Sequence, residues 1–133
     1  MESMMRDVIF PNDRQASYET YGYSAAVRSG GFLFISGQVG VDASGSAIKE
    51  AAAQFQLAFA NLSGVLEAAG CGFDDIVDVT TFHVNMHDHF EAFAAAKQNV
   101  FSNPPFPNWT AIGVVNLADP DLLLEIKAIA KLA

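Results

Sequence analysis

Apolar positions along this chain follow two spacings, and the spacing changes from segment to segment. Phe55, Ala58, Phe59, Leu62, Val65, Leu66 and Ala69 recur every three or four residues. At 3.6 residues per turn they form one continuous stripe, which predicts an amphipathic helix. Gly70 follows, where a left-handed glycine would close that helix. Asp88 and Glu91 make a D-x-x-E pattern expected to cap a second helix. That helix places Phe90, Phe93, Ala94, Val100 and Phe101 on one side, and the run Asn103-Pro104-Pro105-Phe106-Pro107 stops it.

Strand patterns fill the rest. Val8-Ile9-Phe10 is short and ends at Pro11, and Tyr23 to Val27 reads as extended. Ser29-Gly30-Gly31 predicts a hairpin turn into Phe32–Ile35. Asp42 to Gly45 is turn-like. Ile76–Val84 is rich in valine, threonine and isoleucine, which favours a strand. Trp109–Val115 and Leu122–Lys131 are the last two, with Leu124, Ile126, Ala128 and Ala130 on one face. The order predicts an α+β fold, one mixed sheet with two helices packed on one face. Several strands are apolar on both faces. An uncovered apolar face is one that monomers avoid, so the second face is expected to pack against copies of the same chain.

The length of 133 residues suits a single domain over 1–133, and 51% hydrophobic against 17% charged residues supplies a packed core. No apolar run reaches the roughly 20 residues of a membrane span. The start, Met1-Glu2-Ser3-Met4-Met5-Arg6, has no long apolar stretch and so predicts no secretory signal. One cysteine, Cys71, forms no internal disulfide, and a cytoplasmic location is expected. The net charge of −8, with seven scattered basic residues, argues against a nucleic-acid partner, because such binding rests on neutralising phosphates.

Most chemistry-bearing residues have plain explanations. His83, His87 and His89 straddle a strand end and a helix start, so their rings would diverge and no metal site is expected. Cys71 has no adjacent histidine or basic group to activate it. Ser36 lacks a G-x-S-x-G elbow, and no glycine run forms a phosphate loop, so no cofactor is expected.

Several segments resemble one known family. Tyr23-Ser24-Ala25-Ala26-Val27-Arg28, Phe34-Ile35-Ser36-Gly37-Gln38-Val39, Leu66-Glu67-Ala68-Ala69-Gly70, Asp74-Asp75-Ile76-Val77, Phe106-Pro107 and Leu124-Glu125-Ile126-Lys127-Ala128-Ile129-Ala130 are similar to motifs of the Rid (YjgF) family of reactive intermediate deaminases. The match runs from about Tyr23 to Ala130, and Pro107-Asn108-Trp109-Thr110-Ala111 resembles the YjgH-like branch. The resemblance implies a chorismate-mutase-like fold and a homotrimer formed through the open sheet face. It also implies a small-molecule ligand in clefts between subunits, each cleft lined by two chains. In the deaminases, an arginine of an F-P-x-R segment holds the substrate carboxylate and a glutamate of the last strand positions water. By that likeness Glu125 is the catalytic candidate, and Tyr23, Ser36, Gly37, Phe93, Trp109 and Ala111 are the binding candidates. The arginine position holds Trp109, the usual cysteine position holds Ala111, and a common helix asparagine aligns with Ala94.

Imine hydrolysis needs a carboxylate to orient or deprotonate water and a substrate held at near-attack distance. Glu125 suits the first task. Losing an arginine fork of two charge-assisted hydrogen bonds, about 1.5–3 kcal/mol each, weakens carboxylate binding roughly 10²–10⁴-fold. Trp109 offers one N–H donor and an apolar plate, which suits a flat, weakly charged ligand. Two alternatives stand beside these roles: Lys127, on the same strand face, could pair with Glu125, and Trp109 could be interface packing. The expected function is a hydrolase or deaminase of imine- or enamine-type metabolites with a non-standard substrate preference. The alternative is a non-catalytic trimer that binds a small metabolite. The endoribonuclease activity often attached to this family fits poorly with the acidic charge.

Overall fold

The computed structural model describes residues 5–133, so the N-terminal sequence reading lies largely outside them. Ten elements follow one another: β1 (Asp7–Ile9), α1 (Gln15–Tyr21), β2 (Ala26–Ser29), β3 (Phe32–Val39), α2 (Ala51–Ala68), a 3₁₀ turn (Phe73–Asp75), β4 (Ile76–His83), α3 (Met86–Val100), β5 (Asn108–Gly113) and β6 (Leu124–Lys131). The six strands form one mixed sheet in the order β1-β2-β3-β6-β4-β5. All neighbours are antiparallel except β4 and β5, which are joined through α3 and run parallel. A parallel pair needs such a crossover.

The apolar stripe of α2 does what its spacing predicts. Phe55, Ala58, Phe59, Leu62, Val65 and Leu66 are all buried. They meet Leu33, Ile35, Val79, Leu124, Ile126, Ala128 and Ala130 from the sheet, with Phe93 and Ala96 from α3. Gln54 is also fully buried. It donates to the carbonyls of Ile48 and Asp121 and accepts from the Leu123 amide, tying two loops to α2. No helix among the described residues is long and apolar enough to cross a membrane.

The opposite sheet face carries no helix from α2 or α3. Val8, Val27, Phe34 and Ile129 stand in register across β1, β2, β3 and β6. Residues paired in register share a face, so these four make an apolar row. Phe34 is 45% exposed.

Three local features differ from the sequence reading. The segment before Tyr23 holds a third, short helix, α1, anchored by Tyr18, which packs on Phe10 and meets Gln38. Helix α3 starts three residues earlier than the D-x-x-E pattern predicts. Its N-cap is Asn85 in left-handed conformation, with no side-chain cap, and Asp88 lies in the first turn. Strand β5 ends at Gly113, leaving Val115 in the following loop. The predicted hairpin is present: Gly30 and Gly31 both have positive φ and join Ser29 to its partner Phe32. A two-residue turn of that kind matches the strand twist.

Candidate functional site

Two polar clusters hold the candidate residues. The first is centred on Glu125. It is paired in register with Phe82 on β4 and Val39 on β3, and it faces the side of the sheet away from α2. The register of β3 against β6 shifts between Ile35 and Gln38, and this bulge brings Gly37 over the Glu125 side chain. A β-carbon on Gly37 would come within 2.5 Å of Glu125 Oε2, so only glycine leaves room for the carboxylate there. Burial raises the pKa of Glu125 above the usual carboxylate value. Lys127 is exposed, and the one ion pair among the described residues joins Arg28 to Asp7, so Glu125 is not neutralised by its strand neighbour.

Tyr23 belongs to the same cluster. Its ring meets Tyr18 edge-on at 5.1 Å. Burial raises the pKa of its hydroxyl, and the neighbouring Tyr18 and Glu125 raise it further. Ser36 is committed to structure. Its hydroxyl donates to the Ser24 carbonyl at 2.7 Å, fixing the loop that carries Tyr23. Tyr23 and Gly37 also line a groove of about 720 Å³ between α1, the end of β3 and α2, together with Arg14, Tyr18, Tyr21 and Gln38.

The second cluster surrounds Trp109. In register with Val79, this side chain lies on the helix-facing side, under α3. Its rings meet Phe93 at 6.1 Å and Phe101 at 5.4 Å. The indole Nε1–H donates to Thr81 Oγ1 at 3.0 Å. Thr81 is fully buried, and its hydroxyl also bonds His83 Nε2 at 2.8 Å. The His83 ring lies edge-on to Phe93 at 4.6 Å, and burial lowers its pKa, favouring the neutral imidazole. Phe93 is 2% exposed and backs Trp109 from within the core. Ala111, in register with Thr81, is exposed on the edge strand.

The structure thus corrects one expectation about Trp109. Its only N–H is spent on Thr81, so the indole offers a ligand its surface and no free donor. Thr81, His83 and Lys97 were absent from the sequence-based list. Alternation along β4 from Val79 was a signal for the first two, because residues two apart share a face. The spacing of Lys97 four residues after Phe93 was a signal for the third. Of the other histidines, His89 lies edge-on to Phe55. Among the described residues no group of three or more histidine, cysteine or acidic side chains converges.

Known proteins sharpen this geometry. The sequence profile of the family described as Endoribonuclease L-PSP matches residues 14–132. The chain belongs to this family, also called the Rid or YjgF family. Among its members, the RutC family protein YjgH of Escherichia coli (strain K12) is 49% identical over 127 residues, covering 96% of this chain and 95% of the relative. A solved structure of a protein YJGH superposes with a TM-score of 0.90 at 48% identity, covering 96% of both chains. A 2-iminobutanoate/2-iminopropanoate deaminase of Dermatophagoides farinae is 35% identical over 101 residues, covering 71% of this chain and 74% of the relative. Likeness within the family extends over both clusters, since Tyr23, Glu125 and Trp109 all fall inside the matched residues.

Proposed function

We propose that this protein hydrolyses the C=N bond of imine- or enamine-type metabolites with a substrate preference unlike that of the 2-iminopropanoate deaminases. The half-buried carboxylate of Glu125, seated under the bare backbone of Gly37 beside Tyr23, carries this reading. In the proposed reaction Glu125 takes a proton from water as the oxygen attacks the imine carbon. The electron pair of the C=N bond moves to nitrogen, which takes up the proton that Glu125 removed from water. The carbinolamine then collapses, the C–N bond breaks, and a carbonyl compound and ammonia leave. A carboxylate partly withdrawn from water is a better base for this step than an exposed one.

The site is proposed to lie between copies of the chain in a homotrimer. Glu125 and Trp109 face opposite sides of one sheet, so a single chain does not bring them together. A cleft lined by the Glu125 cluster of one copy and the Trp109 cluster of the next would. The apolar row Val8-Val27-Phe34-Ile129 supports burial of the open face in such an assembly. An endoribonuclease role is disfavoured by the net charge of −8.

A direct test is the hydrolysis rate of 2-iminopropanoate, and of the imine formed in place from phenylalanine, with wild type, Trp109→Arg and Glu125→Gln. The proposal expects wild type to favour the aromatic imine and Glu125→Gln to lose turnover. A wild type inert towards both imines, with Trp109→Arg equally inert, would favour the non-catalytic binding trimer instead.

A further inference from the structure

We propose that Lys97 is the anion-binding residue of the Trp109 cluster, and that the ligand it selects is a flat, conjugated carboxylate. This rests on the reading that Trp109 lines the ligand site. The ammonium Nζ of Lys97 stands 4.8 Å from the centroid of the Trp109 ring. A cation over an indole face is held by the ring's quadrupole, so it has a preferred position even when half-exposed.

Among the described residues no protein anion claims that charge. The chain carries fifteen acidic residues, yet none forms an ion pair with Lys97 among the described residues. The polar groups behind it are already matched to one another. Trp109 Nε1 is bonded to Thr81, and Thr81 to His83. A ligand entering here therefore meets one unpaired ammonium, an indole surface and little else that can bond.

The residues around the indole are small or aromatic. Phe90, Ala94 and Lys97 recur at i, i+4 and i+7 and so share one side of α3, and Phe101 follows at its C-cap, edge-on to Trp109. Ala94 in that row is exposed, and so is Ala111 on β5, two residues from Trp109 on the same face. Lys97 supplies charge and Trp109 supplies a plate. A carboxylate conjugated to a planar system uses both features, whereas a small saturated acid uses only the first.

Trp109 is the only tryptophan, so its indole Nε1–H resonance is a single reporter in ¹⁵N-labelled protein. Benzoate, benzamide and propanoate serve as probes against wild type, Lys97→Met and Lys97→Arg. Expected is a saturable benzoate shift in wild type, with benzamide and propanoate at least about tenfold weaker. Lys97→Met should weaken benzoate by about tenfold or more, and Lys97→Arg should recover most of it. Benzoate binding equally well to Lys97→Met, benzamide binding as tightly as benzoate, or no benzoate shift at all would each overturn the proposal. Phenylalanine-derived imine turnover separates this proposal from the hydrolytic one. A raised KM with little change in kcat in Lys97→Met supports Lys97 as a binding group, and an unchanged KM overturns it. Lys97-dependent benzoate binding in a wild type that turns nothing over would leave Lys97 standing and remove the hydrolase.

Discussion

Trp109 and Glu125 sit two strands apart in the same sheet and point to opposite sides of it. Trp109 is in register with Val79 and Ala128 on the helix-facing side, while Glu125 is in register with Phe82 on the other. This places the two candidate groups back to back. Under the proposed function a site that needs both is shared between chains, and activity should then depend on assembly. Substituting Phe34, in the open-face apolar row, by a charged residue should lower assembly state and imine turnover together. Light scattering and activity measured on Phe34→Glu check this, and active monomers would contradict it.

Restoring a guanidinium at the indole position should re-aim the site. Trp109→Arg is expected to raise kcat/KM for 2-iminopropanoate by about tenfold or more, because a bidentate carboxylate bond replaces an apolar plate. Turnover of the phenylalanine-derived imine should fall in the same variant. Steady-state kinetics with the two imines reads both changes.

Glu125 is buried enough that its pKa lies above the usual carboxylate value. Its base form is then lost as pH falls through that raised value, so kcat/KM should climb with pH along a limb displaced upward from an ordinary glutamate. Stability takes the opposite sign. A folded-state pKa above the unfolded one contributes stability at low pH that is lost as pH rises through the folded value. Glu125→Gln should therefore abolish the activity limb and gain stability relative to wild type as pH rises through the same window. Activity profiles paired with denaturant melts at several pH values measure both.

Gly37 gives a cleaner probe of the same carboxylate. An added methyl would overlap Glu125 Oε2, Cδ and Cγ. Gly37→Ala should displace the carboxylate and cost imine turnover about tenfold or more, since general-base geometry is steep in distance. The fold should remain, because the new methyl meets a side chain and not backbone. Circular dichroism with kinetics distinguishes the two effects.

Thr81 holds two partners with one hydroxyl, accepting from Trp109 and bonding His83. Thr81→Val keeps the shape and strands both partners in the core. A loss of about 1–3 kcal/mol is expected from the buried unsatisfied groups. Chemical denaturation followed by Trp109 fluorescence measures it.

The helix α2 and the strands of the central sheet were legible because burial imposes strict spacing on them. Phe55 to Leu66 kept 3.6-residue periodicity, and Leu124 to Ala130 kept alternation. Helix α1 was hidden because none of its residues is buried and only Tyr18 ties it down. The start of α3 was misplaced because Asn85 uses backbone conformation instead of a capping side chain. Glu125 was legible through likeness to a family motif, and its lack of an ion-pair partner among the described residues needed three dimensions. The fate of the Trp109 N–H was also hidden, because Thr81 is twenty-eight positions away in sequence and adjacent only through parallel pairing.

Strand β6 gives the sheet a keystone. It lies between β3 and β4, so Phe34 pairs with Ile129 across most of the chain. Before β6 arrives, the hairpin of β2 and β3 and the parallel unit of β4 and β5 are separate pieces, each with an unpaired edge. Loop closure over so long a separation is slow, and open edges invite wrong partners. Refolding should therefore run through a stage that is sensitive to protein concentration, with aggregation competing against insertion of one eight-residue strand.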